Sequence, residues 1–152
     1  MSKKHHRFHW HFRKRSRVSP AAPRIVAMTL ADEVAEAVGA DCEQRRALVD
    51  AALCVGQWLA DQGLPGRWDG VRPAEVLRCL DFLPPPERER FLFYLVGLLG
   101  HAGLREQIPP ASARRAIDEA AALTGVDGTR AFAQATSAQL GGARCAPPPL
   151  LS

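Results

Sequence analysis

From Arg7 to Arg13 the chain reads Arg-Phe-His-Trp-His-Phe-Arg, a strict alternation of basic or imidazole side chains with aromatic ones. In an extended backbone, successive side chains point to opposite sides, so Phe8, Trp10 and Phe12 share one side and the cations the other. Aromatic faces that stack on bases, next to cations that meet phosphates, suit single-stranded nucleic acid. Lys3, Lys4, Arg7, Arg13, Lys14, Arg15 and Arg17 supply the phosphate contacts. Charge of this kind gives affinity without reading sequence and without separating DNA from RNA. The expected partner is therefore nucleic acid, met non-specifically through the first residues of the chain.

The same segment admits plainer readings. It has the composition of an idle solvated tail. Its wealth of Arg and lack of acid before Asp32 also fit an organelle presequence, although serine is scarce and no helical apolar face is evident. Met28 offers a second start, and all three lysines lie upstream of it. His5, His6, His9 and His11 are imidazoles suited to Ni²⁺, Cu²⁺ or Zn²⁺. A working metal site needs ligands held in place by further hydrogen bonds, which a mobile arm does not provide, so no metal or other cofactor is expected.

Net charge sharpens the contrast between arm and body. The whole chain carries +4, yet residues 1–24 hold eight basic residues and no acid, a local +8. The rest sets twelve arginines against sixteen acids, a net −4. An asymmetry of this kind marks a tail that meets a polyanion.

Catalytic patterns are missing. There is no phosphate loop, no G-x-S-x-G and no H-E-x-x-H. His101 is the one histidine outside the first segment, and pairing it with Cys54 or Cys79 as a thiol–imidazole couple rests on no spacing argument. Glu87, Glu89, Asp118 and Glu119 sit among arginines, with nothing to isolate a carboxylate. The expectation is a protein that is not an enzyme and has no catalytic residues. The four cysteines, Cys42, Cys54, Cys79 and Cys145, form no C-x-x-C and no zinc spacing, which reads as reduced thiols in a cytoplasmic protein.

Two further features point to binding. Arg67-Trp68 lies in a glycine-bounded loop, the composition of a protein-interface anchor; a Trp folded back to seal the core would look the same. Ala121–Val126 followed by Ala131-Phe132 loosely matches a helix-turn-helix, but the second helix offers only Arg130 among Gln134, Thr136, Ser137 and Gln139. The alternative to nucleic-acid contact is thus a helical adaptor that binds another protein through Arg67 and Trp68.

These groups need elements to carry them, and the pattern is helical throughout. Ala supplies 25 of 152 residues, which favours helix, while Val, Ile and Thr are sparse. Thr29 with Asp32 resembles a capping box, predicting a first helix with Leu30, Val34, Ala37 and Val38 inward and Gly39 as its stop. Asp41 with Gln44 opens a second, with Leu48, Ala52, Val55, Trp58 and Leu59 inward to Gly63. Pro73 starts a short third helix to about Leu80 and Pro84–Pro86 a fourth; Pro109-Pro110 starts a fifth, and Asp127 caps a sixth that ends at Gly141-Gly142. Ala113, Ala116, Ile117, Ala120 and Leu123 form the stripe of the fifth; Phe132, Ala135 and Leu140 form that of the sixth.

The fourth helix contains the ten-residue apolar run Phe91–Gly100, too short for the about 20 residues a membrane span needs, so it is expected at the core and no membrane partner is expected. Gly97, Gly100 and Gly103 are tolerable there if another helix crosses closely. The expected fold is all-α: a compact bundle of about six short helices over 29–142, a disordered basic arm over 1–28 and a Pro-rich tail over 143–152.

Overall fold

The computed structural model describes residues 21–145. They form six α-helices with no strand among them: α1 (Ala21–Val38), α2 (Cys42–Asp61), α3 (Pro73–Arg78), α4 (Pro85–Leu104), α5 (Pro110–Leu123) and α6 (Asp127–Cys145). A 3₁₀ turn over Trp68–Gly70 precedes α3. The fold is all-α, as the sequence pattern predicts. The chain divides after Trp68 into two compact units.

The first unit is a helical hairpin. Helix α1 begins at Ala21, eight residues before the start predicted at Thr29, so residues 21–28 are helical and Thr29 lies inside the helix. Pro23 does not stop it: the first four amides of a helix have no intrahelical acceptor, so a proline there removes nothing the helix uses. Ala27, Leu30, Ala31, Val34 and Ala35 are buried, while Ala37 and Val38, expected inside, are exposed.

Gly39 takes φ +65° and ends α1 in a Schellman closure: its amide donates to the carbonyl of Glu36 and that of Ala40 to the carbonyl of Ala35. Helix α2 starts as predicted. The Asp41 carboxylate accepts from the Gln44 amide at 2.8 Å, and the Gln44 side chain accepts from the Asp41 amide at 3.0 Å. Leu48, Ala52, Val55, Trp58 and Leu59 are all buried. Arg45 of α2 reaches back to Asp32 of α1 at 3.0 Å.

In the second unit α4 packs against both α5 and α6, which also pack on each other. Phe91, Leu92, Leu95, Val96, Leu98 and Leu99 are at most 1% exposed, so the short apolar run is a core helix. Close crossing accounts for two of its glycines. A Cβ on Gly100 would lie 2.6 Å from the Thr136 methyl, and one on Gly103 2.7 Å from the Ala113 methyl. At Gly97 a Cβ would meet nothing within 4 Å, so close approach does not explain that glycine.

Helix α6 departs from expectation in two ways. It continues through Gly141 and Gly142 to Cys145, because a glycine costs a helix only about 1 kcal/mol and does not end it. Its inward face is Thr129, Ala133, Thr136, Ser137 and Leu140, whereas Ala135 is exposed and Phe132 half-buried. Hydroxyl groups hid this face from an apolar-period reading. Two of them are paired: Thr136 donates to the Phe132 carbonyl at 2.8 Å and Ser137 to Asp118 at 2.6 Å.

Candidate functional site

Lys3, Lys4, Arg7, Phe8, Trp10, Phe12, Arg13, Lys14, Arg15 and Arg17 lie outside the described residues, as do the four arm histidines. Among the described residues, no group of three or more His, Cys, Asp or Glu is placed to hold a metal ion. No described helix is long and apolar enough to cross a membrane. The thiol–imidazole candidates belong to different elements. Cys54 is buried in the hairpin, where desolvation, with the nearby Asp50 charge adding to it, pushes its thiol well above the ordinary value of 9.0. That is the reverse of what a nucleophilic cysteine needs. Cys79 is exposed after α3, and His101 is half-buried in the last turn of α4.

The Arg67-Trp68 pair is split. Gly63 and Gly66, at φ +78° and +75°, turn the chain through the loop, leaving Arg67 exposed and Trp68 3% exposed. The indole is a buried group, and its Nε1–H meets no acceptor among the described residues. Such an orphaned donor offsets part of what burying the ring contributes, by roughly 1–3 kcal/mol. Exposed apolar surface lies elsewhere. On the second unit the Phe93 ring, 42% exposed, lies against Phe132 with centroids 5.1 Å apart.

The α5–α6 connection, the helix-turn-helix candidate, is three residues long and fastened from outside. Glu89 in the second turn of α4 accepts from the Thr124 hydroxyl and, through its other oxygen, from the Gly125 amide at 2.9 Å. Arg130 is turned back on the same loop, donating to the Thr124 carbonyl at 2.6 Å and to Asp127 at 2.9 Å. Among residues 127–141 it is the only cation, and Thr136 and Ser137 face inward. The outward face of α6 therefore presents no free cation over these residues to a phosphate backbone.

A cluster absent from the sequence reading lies where α5 begins and α6 nears its end. An open groove of about 530 Å³ is bordered by Pro109, Pro110, Arg114, Arg115, Asp118 and Leu140. Arg114 Nε donates to the Ser137 hydroxyl at 3.3 Å, and that hydroxyl donates to Asp118. Arg114 and Asp118 stand four apart on one helix face, a signal that sequence carries. The third member, Ser137, comes from another helix, and only the packing of α5 on α6 brings it in. Glu119 is likewise committed, accepting from the Ala74 amide in the first turn of α3 at 2.9 Å.

No known protein family matches the chain, and neither a curated protein nor a solved structure resembles it.

Proposed function

We propose that this is a small cytoplasmic accessory or regulatory protein, not an enzyme, that contacts nucleic acid non-specifically through its basic N-terminal segment. One observation carries the reading: eight basic residues and no acid in residues 1–24, with Phe8, Trp10 and Phe12 interleaved. The body supports it by contrast. Residues 21–68 hold seven acids against four arginines, and residues 69–145 hold nine of each. Several of these arginines are already engaged, Arg45 with Asp32, Arg72 with Glu75, and Arg130 with Asp127. The committed Arg130 also weighs against α6 as a reading helix.

The test is binding of the full chain to a labelled single-stranded oligonucleotide over a salt series. Four to seven phosphate contacts give a log–log slope of roughly −3 to −6. Deleting residues 1–20, which leaves α1 whole, abolishes the binding, and replacing Phe8, Trp10 and Phe12 by Ala weakens it at unchanged charge. Binding that survives the deletion would move the site to the helices and end this reading.

The second reading, a protein–protein adaptor, is favoured by the exposed Phe93 and its neighbour Phe132. Aromatic surface of this kind is the usual anchor of an interface. Its mark is a partner lost on Phe93→Ala while residues 1–20 are dispensable.

A further inference from the structure

We infer that the groove between the start of α5 and the end of α6 binds a phosphate monoester, held by Arg114 and Arg115. The site is independent of the N-terminal segment.

The guanidinium of Arg114 is positioned but not consumed. Its Nε edge is held by the hydroxyl of Ser137, which is 5% exposed and itself anchored on Asp118 Oδ1. Among the described residues, neither its Nη1 and Nη2 nor the Arg115 guanidinium meets an acceptor. A planar fork with one edge fixed and the other open is pre-organised for bidentate recognition of an oxyanion. Gly141 makes this placement possible: a Cβ there would lie 2.4 Å from Arg114 Nη1 and 2.9 Å from Cζ. The missing side chain on α6 is the seat on which the guanidinium lies.

The chemistry of the ligand follows from the lining. A carboxylate, singly charged and planar, satisfies Arg114 alone, whereas the three free oxygens of a phosphate monoester reach both guanidiniums. Asp118 also lines the groove, and its second oxygen is left to accept from a hydroxyl. Pro109, Pro110 and Leu140 add an apolar border. At about 530 Å³ the groove lies within the range for small-molecule sites, roughly 300–1,000 Å³. A phosphate on a hydroxylated body, such as a nucleotide or the 5′ end of a strand, meets all of these groups.

The test uses the full chain and signals that belong to this site. Amide resonances of Ser137 and Gly141 and the Nε–H of Arg114 are followed by NMR during titration with adenosine 5′-monophosphate, adenosine and acetate at constant ionic strength. The monophosphate should give saturable shifts, and adenosine and acetate should not. Arg114→Gln should weaken binding at least tenfold. Gly141→Ala, which keeps every charge and favours helix, should weaken it several-fold with circular dichroism unchanged. A 5′-phosphorylated oligonucleotide compared with its 5′-hydroxyl counterpart separates the sources: a phosphate-dependent shift tighter than that of the mononucleotide identifies a strand end, and a weaker one a free nucleotide. Equal shifts with adenosine or acetate, no saturable shift, or wild-type binding by both variants would overturn the site.

Discussion

The hairpin of α1 and α2 and the bundle of α3 to α6 solve the same problem with different means. In the hairpin, polar groups work at the ends and on the surface. The Asp41–Gln44 box opens α2, Gly39 closes α1, and Arg45 bridges to Asp32 where both side chains are at least 42% exposed. Its inner face is Ala, Leu, Val and Trp with Cys54 and Gly56, and no hydroxyl. In the bundle, polar groups enter the packing itself. Glu89 grips the α5–α6 turn, Glu119 caps α3, and Ser137 links Asp118 to Arg114 across two helices. The hydroxyls are satisfied in two ways: Thr136 bonds a carbonyl of its own helix, and Ser137 bonds Asp118 of α5. Gly100 and Gly103 add close contact of α4 with Thr136, Ala113 and Leu140.

The comparison is broken most directly at its largest side chains. Leu95→Ala in α4 should cost about 2–5 kcal/mol by denaturant unfolding, and Trp68→Ala about 3–5 kcal/mol, since both residues are at most 3% exposed. A loss below about 0.5 kcal/mol at either would place that side chain among surface sites instead. The polar interior should come next. Glu89→Ala leaves the buried Thr124 hydroxyl without its acceptor and should cost about 1–3 kcal/mol, while the exposed Gly125 amide turns to water. The smallest effect belongs to the hairpin's surface bridge, where Arg45→Ala should cost less than about 1 kcal/mol and fade further in salt. If Arg45→Ala proved costlier than Glu89→Ala, the contrast between surface and interior polar groups would be wrong.

Local chemistry explains what could be read in advance. The capping box at Asp41, the stop at Gly39 and the proline starts at Pro73, Pro85 and Pro110 each depend on a few adjacent residues, so the sequence displays them. The start of α1 was misplaced by eight residues because Thr29 and Asp32 imitate a cap inside a helix, and because Pro23 is harmless in a first turn. The core face of α6 does not show as an apolar stripe because Thr129, Thr136 and Ser137 are polar types, and the partner of Ser137 comes from another helix. Trp68 could be assigned to neither surface nor core by composition, since an aromatic in a glycine loop suits both. The Arg114 groove was invisible for a related reason: its geometry needs Ser137 and Gly141 from a helix more than twenty residues downstream.

By itself, the sequence determined the helical class, the order and approximate limits of most helices, and the confinement of unopposed positive charge to the first two dozen residues. Propensity, capping and charge count are properties of short stretches, so they need no fold. The tertiary structure decided which polar groups are buried, which glycines mark a close crossing, and where a guanidinium is held with one edge open. Each of these depends on a second helix arriving within a few ångströms.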